Sequence, residues 1–475
     1  MKKVLLLILL VHSILEVAGQ ATPDSSRVVT VNEIFIIGNN KTKASVILRE
    51  LSVNKGEAYN LSELSAITVK DQEKIYNTNL FNEVEVQILE SGTTQVELLV
   101  RVDERWYFYP APIFDLIDRN MTDWIKNHGA SFSRLNWGVK LDQYNFRGRN
   151  EKLRFIGQLG PQRKLVLSYS MPYIDKAQKS GLAFNVSYIE RLKMPYTTID
   201  HVWAETSKSE INRRSLNSSV TYSYRPSFYD FHFAKLNFRK STVTDSVVLL
   251  NPNYFGNAMK EQNNFIASYT YIKDHRNRRT YPTDGYYFEV FAEKTGLGIF
   301  KDINMFSIEG TINKYSDLGK GFYLANSLVG MISTPNEQPY FNYMELGYNG
   351  RFIRGFEEDL IEGPKYFLSR NSARKQFMKH RSDISNIIPV KQFSKFKLDM
   401  YAKLFADFGY VENYPNYPNG ERLTDKWLGS AGLGVDVVLM YDLVLRFEYS
   451  HTTEQDINDF FNFKEHFRLN IKADM

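Results

Sequence analysis

Along most of this chain the hydrophobic and polar positions alternate with period two. The alternation is plain in Leu153-Phe155-Gly157-Leu159 set against Lys152-Arg154-Ile156-Gln158, and again in Tyr286-Phe288-Val290-Ala292. It recurs at Leu398-Met400-Ala402-Leu404-Ala406, at Leu443-Leu445-Phe447-Tyr449 and at Phe467-Leu469-Ile471-Ala473. Successive strand side chains point to opposite faces, so each segment reads as a strand with one apolar and one mostly polar face. Before Trp106 the pattern differs. Val28 to Val31 and Ile34 to Ile37 are strand-like, and Gly38-Asn39-Asn40 turns the chain. Thr42 is placed to cap a short helix carrying Val46, Ile47 and Leu51. Leu61, Leu64, Ile67, Ile75 and Tyr76 fall at helical spacing. Strands at Val84 to Leu89 and Gln95 to Val102 then flank a turn at Ser91-Gly92. The order β-α-α-β-β predicts a compact α+β module.

Two segments change what the alternation means. Met1-Lys2-Lys3, the apolar run Val4 to Val11 and the small residues Val17-Ala18-Gly19 predict an export signal over residues 1–19. Beyond it no apolar stretch approaches the ~20 residues that a membrane helix needs. A chain that spans a membrane without helices must do so as a closed barrel, because lipid satisfies no backbone N–H or C=O. The 475 residues include 33 Phe and 30 Tyr, a heavy aromatic load that suits membrane interfaces. The ~370 residues after the first module suffice for about 16 strands with their turns. A soluble β-sandwich alternates in the same way, and export, aromatic load and length favour the barrel.

Candidate chemistry is sparse. The chain has no cysteine, which excludes disulfides, thiol catalysis and thiolate metal sites. Its 8 histidines show no paired ligand spacing, and no metal or cofactor is expected. The net charge of +5 is spread without a basic block, so nucleic acid is not an expected partner. Asp407-Phe408-Gly409 matches a kinase tripeptide but lacks the accompanying Gly-rich loop and strand lysine. Gly429-Ser430-Ala431-Gly432-Leu433-Gly434 lies between strand patterns, without a following helix to hold a phosphate. No enzyme activity is expected.

Specific motifs then resemble known families. Phe35-Ile36-Ile37-Gly38-Asn39 with Thr42, Gly56-Glu57, and a helix running into Leu80-Phe81 resemble a POTRA domain, the periplasmic repeat of outer-membrane assembly and translocation proteins. Gly38 permits a turn that a Cβ would strain, and Leu80-Phe81 are placed to plug the helix onto the sheet. In the rest of the chain Ile353-Arg354-Gly355-Phe356 resembles the loop motif of the BamA/TamA family of outer-membrane assembly factors. Phe405-Ala406-Asp407-Phe408-Gly409 is similar to that family's wall motif, and Asp274-His275-Arg276 with Pro282-Thr283-Asp284-Gly285 to its lead into a central strand. Asn145 to Asn150 and Tyr169-Ser170-Met171-Pro172-Tyr173 resemble an early hairpin turn and a strand ending.

The resemblance implies a mainly β fold: a 16-stranded transmembrane barrel over 104–475 behind one POTRA domain over 28–103. It implies that the loop folds into the lumen and that Arg354 rests on an acidic wall residue. Strand parity selects Asp407, which shares a face with Lys397, Asp399, Tyr401, Lys403 and Phe405. Gly409 is expected to leave room for the inserted loop backbone. The implied function is insertion of barrel proteins into the outer membrane or passage of polypeptides across it. The implied partners are outer-membrane lipids, unfolded polypeptide clients and accessory assembly proteins. The alternative is a passive porin-like channel for small solutes. The chain departs from the family at Ala373, where a Glu is expected, and at its end, where Phe467 stands well before Met475. Pro110 and Pro112 predict that the first barrel strand pairs incompletely.

Overall fold

The structure, a computed structural model, describes residues 27–473 apart from 118–123, 126–128, 208–209, 301–302, 347–350, 358, 387–393, 416–421, 441–442 and 455–466. The expected export signal and the side chain of Phe467 lie outside the described residues.

The first module contains β1 (Val28–Ile37), α1 (Ala44–Leu48), β2 (Ala58–Asn60), α2 (Leu61–Tyr76), β3 (Phe81–Glu90) and β4 (Gln95–Glu104). Its sheet runs β2-β1-β4-β3, with β1 parallel to β4. The two expected N-terminal strands are one, with an irregularity between Val31 and Glu33 at the point where the pattern broke. Strand β2 has too few residues to show a periodicity. Ile47, Leu64, Ile75, Leu80, Phe81 and Leu98 are fully buried, each worth roughly 1.5–3 kcal/mol of transfer free energy.

The barrel region continues with β5 (Phe108–Leu116), β6 (Leu135–Phe146), β7 (Glu151–Leu159), β8 (Gln162–Met171) and β9 (Ser180–Arg191). A loop hairpin, β10 (Pro195–Ile199) and β11 (Val202–Glu205), precedes β12 (Arg213–Tyr224), β13 (Asp230–Val243), α3 (Asp245–Leu250), β14 (Glu261–Asp274) and β15 (Gly285–Thr295). Then come β16 (Met305–Asp317), β17 (Phe322–Thr334) and the loop pair β18 (Glu345–Leu346) and β19 (Ile361–Glu362). The chain closes with β20 (Lys365–Asp383), β21 (Lys395–Glu412), β22 (Trp427–Leu439), β23 (Leu443–Thr452) and β24 (Phe467–Ala473). Among the described residues, the strands from β5 to β24 other than the two loop hairpins form one antiparallel sheet of sixteen, with β5 and β24 at its ends. No helix among them is long and apolar enough to cross a membrane.

The two faces of this sheet differ as the alternation requires. On β21, Leu404 is 65% exposed and Phe408 51%, while Asp407 between them is 0% exposed. The apolar side chains point outward and the charged ones inward, the reverse of a soluble domain. The Gly429 to Gly434 run is part of β22, a wall strand.

Proline placement corrects one expectation. All nine residues of β5 pair with β6 without interruption. The Tyr144 N–H donates to Tyr107 O and the Ile117 N–H to Arg134 O, so odd-numbered residues of this strand turn their backbone groups toward β6. Pro110 and Pro112 therefore turn theirs to the opposite edge, where the missing donors cost the β5–β6 ladder nothing.

Candidate functional site: a loop anchored in the lumen

The loop between β17 and β20 descends into the barrel, and Arg354 is its anchor. Its Nε donates to Asp407 Oδ2 at 2.7 Å and its Nη2 to Oδ1 at 2.5 Å, while the backbone N–H of the same residue reaches Oδ2 at 3.1 Å. Nη1 donates to Ser372 Oγ and Nη2 to Asn371 O, both at 3.1 Å, and the guanidinium lies 3.9 Å from the centre of the Phe405 ring. A guanidinium offers five donors in a fixed fork, and a carboxylate beneath it takes the paired edge. Both groups are buried, so neither would be tolerable without the other.

The residues flanking Arg354 fix the loop around it. Gly355 has φ +96°, and a Cβ there would stand 2.5 Å from Thr452 Cγ2. Phe356 is buried with Ile353, Leu346, Leu368, Val411 and Leu428, joining the loop to β20, β21 and β22. Gly409 does leave room, but for a side chain: a Cβ there would meet Ile353 Cδ1 at 2.4 Å, where the sequence led to expect the loop backbone.

A second insertion comes from the opposite end. Arg276 forms a two-pronged pair with Asp274, at 2.7 and 2.9 Å, and Gly285 has φ +98° with a Cβ position only 2.0 Å from His275 O. This turn lifts Tyr281 into the lumen, where its hydroxyl donates to Asp436 at 2.9 Å. Pro282 O accepts from Arg374 Nη1 at 3.3 Å. Lys403 sits between Asp436 and Glu448, 2.8 Å from the latter. Contacts between the β14–β15 turn and β22, far apart in the sheet order, require the sheet to curl around a common interior. The sequence reading did not single out Tyr281, Asp436 or Glu448. Asp436 and Glu448 had as their only signal a polar residue on the inward parity, which many lumen residues share, and Tyr281, in a turn, had none.

The first module is seated on the turns at that same end. Gly38 has φ +92° and its Cβ position lies 1.9 Å from Val102 O, so the turn after β1 closes directly on β4. Asn39 Nδ2 donates to Thr42 O at 3.0 Å, Gly56 takes φ +85°, and Leu80 and Phe81 are buried in the main core. Thr42 does not cap α1, whose N-cap is Lys43 without a side-chain bond. The Thr42 hydroxyl instead donates to Glu104 at 2.5 Å, lies 3.0 Å from the Tyr107 hydroxyl and accepts from Asn145 Nδ2 at 2.8 Å. A hydroxyl that meets partners from three segments was out of reach of a local capping rule. Glu50 takes both prongs of Arg225, at 2.6 and 2.7 Å, and Lys74 Nζ lies 3.5 Å from the centre of the Phe228 ring. Burial pushes the Glu50 carboxyl up, but Arg225 and Arg49 together outweigh it and hold the group below its ordinary value.

At the far end the loops close over one another. His201 is fully buried, with Nδ1 2.7 Å from Leu360 O and Nε2 accepting the Leu423 N–H at 3.2 Å. Because the Leu423 amide must donate, the neutral ring carries its proton on Nδ1. Arg422 joins Asp200 and Asp359, at 2.9 and 2.5 Å, across the same three loops.

These features define a class: a membrane β-barrel whose lumen is crossed by an arginine-anchored loop and whose end carries a small POTRA-type module. The Omp85 superfamily domain model matches residues 145–471, and a POTRA model, described as a surface antigen variable number repeat, matches residues 29–105. The chain belongs to the Omp85 superfamily. BamA from Haemophilus ducreyi lacking POTRA domains 1–3 shares its fold at 16% identity and a TM-score of 0.51, over 94% of this chain and 83% of that one. CdiB from Acinetobacter baumannii aligns at 12% identity and a TM-score of 0.48, over 94% and 73% of the two chains. No curated protein matches in sequence. A chain of this family with a POTRA domain serves outer-membrane protein insertion or polypeptide translocation. The passive-channel reading gains no support from a lumen crossed by two inserted segments.

Proposed function

We propose that the chain sits in the outer membrane with its POTRA domain in the periplasm, and that it hands extended polypeptide from one exposed strand edge to another. The domain division is 28–103 for the POTRA module and 104–475 for the barrel, behind a cleaved export signal at 1–19. The observation that carries this reading is the outer edge of β5. Pro110 and Pro112 both face away from β6, so the outer edge of β5, one end strand of the sixteen with β24 as the other, lacks two donors. A seam with fewer hydrogen bonds opens at lower cost, and an open edge can template a client strand whose backbone lipid cannot satisfy. The POTRA sheet ends in β3, a strand of ten residues that suits capture by strand addition. Arg354, Gly355, Phe356, Asp407 and Gly409 serve as the lock that keeps the loop inside while the seam works. The turn built on Asp274, Arg276, Pro282 and Gly285 braces the wall opposite. Clients are unfolded outer-membrane or secreted polypeptides, with lipids and accessory assembly proteins as further partners, and the work is templating without bond chemistry.

The chain has no cysteine, so a pair introduced into β5 and β24 can be joined selectively. Joined protein in proteoliposomes is expected to lose client assembly, and reduction to restore it. Undiminished assembly with the seam held shut would overturn the reading.

A further inference from the structure

A cavity of about 590 Å³ lies in the lumen between the anchored loop and the Tyr281 turn. Its charges do not balance. Arg276 and Arg279 share Asp274, Arg354 is held by Asp407, and Lys403 lies between Asp436 and Glu448. Arg370, Arg374 and Arg446 also line the cavity, so among the described residues seven cations face the four carboxylates Asp274, Asp407, Asp436 and Glu448, a net excess of three positive charges. Arg374 lies over the Tyr281 ring at 4.7 Å and donates one Nη to Pro282 O, yet its buried Nε has no acceptor. No carboxylate lies within ion-pair distance of Arg374 or Arg446 among the described residues. Arg370 lies over Phe352, with Arg354 and Arg446 acting on it as like charges and Asp407 and Glu448 as opposite ones.

Guanidinium groups crowded into a confined polar space repel one another unless an anion joins them. The donors come from different strands, Arg370 and Arg374 on β20 and Arg446 on β23. A carboxylate accepts in one plane, whereas a phosphate presents oxygens in several directions and takes paired donors at each. The volume falls within the range of about 300–1,000 Å³ usual for small-ligand sites. We infer that this lumenal cavity is a binding site for a phosphate-bearing ligand, held by Arg374 and Arg446 with Arg370 beside them. The ligand is a soluble phosphate compound or the headgroup of an anionic lipid, and the shared chemistry is the phosphate group. The inference does not depend on the templating reading, since it concerns the cavity's charge and no client.

Isothermal titration of the full chain in neutral detergent at low ionic strength, with pyrophosphate as the probe, tests it. One saturable site is expected. Arg374→Gln and Arg446→Gln are each expected to weaken binding about tenfold or more, the loss of one charge-assisted contact. Arg163→Gln, outside the cavity, should leave it unchanged. Arg446→Lys keeps the charge without the fork and should fall between. Heat-modifiable gel mobility confirms that each variant is folded. In nanodiscs, weaker pyrophosphate binding with anionic than with neutral lipid identifies a headgroup as the occupant, and equal binding identifies a soluble phosphate. The inference is overturned if pyrophosphate gives no saturable site. It is equally overturned if both glutamine variants bind as wild type, or if only an acidic peptide competes for these arginines. The seam experiment can fail while this one succeeds, and the reverse.

Discussion

Removing either partner of the Arg354–Asp407 pair isolates the energetics on which the anchored loop depends. Asp407 is 0% exposed and receives three hydrogen bonds from Arg354, two from the guanidinium and one from the backbone. In Asp407→Ala the guanidinium keeps Ser372, Asn371 O and the Phe405 face but loses its main counter-charge, with Glu448 3.6 Å away as the remaining one. Breaking a buried pair from one side costs about 3–5 kcal/mol, most of it from the charge left behind. That energy corresponds to roughly two to three and a half orders of magnitude in the population of released loop. Arg354→Ala leaves the opposite charge and should cost a similar amount. In the double variant neither charge is stranded, so its cost should resemble that of one single variant and not their sum. The measurement is a double-mutant cycle by denaturant titration of the purified barrel, with planar-bilayer conductance reporting escape of the loop from the lumen. Both singles should leak, and the coupling should amount to about 3 kcal/mol. Additive singles, with coupling below about 0.5 kcal/mol, would show that the two groups are neighbours without being a lock.

Two further predictions concern the ends of the barrel. Glu50→Gln should free the POTRA module from the barrel turns, raising its protease sensitivity, because Arg225 is left without its carboxylate; the expected cost is about 3–5 kcal/mol. Since the folded-state value of Glu50 is depressed, wild-type docking is at full strength above the ordinary carboxylate range and is lost as pH falls through the lowered value, and hydrogen exchange at α1 should follow that course. At the opposite end, burial holds His201 below its ordinary value, with Arg422 acting in the same direction against the Leu360 carbonyl, Asp359 and Asp200. The unfolded or undocked loop takes up a proton first, so the loop cap should be firm above about pH 6.5 and loosen below it. Conductance measured across that window should rise on acidification in the wild type and stay level in His201→Gln, and an unchanged wild-type trace would remove His201 from any such role.

Several features were legible in the residue order alone. Alternation on β21 gave the inward parity of Asp407, because a strand's side-chain period is fixed by its backbone geometry. The positive φ that favours glycine at 38 and 285 is likewise set by local turns, although the carbonyl that crowds Gly38 comes from Val102 on β4. Apart from the Arg354–Asp407 pair, which the family resemblance and strand parity implied, the contacts inside the lumen and between the POTRA module and the barrel lay beyond the sequence. Thr42 looked like a helix cap, and became a junction only because β4, the linker and the end of β6 converge on its hydroxyl. Pro110 and Pro112 announced a weakened strand but not which edge was weakened, since that depends on the hydrogen-bonding phase of β5 against β6. The excess charge of the lumen was hidden for the same reason. A lone arginine on a strand looks like any other until closure of the sheet decides which carboxylates stand opposite it, and local periodicity carries no information about that distance.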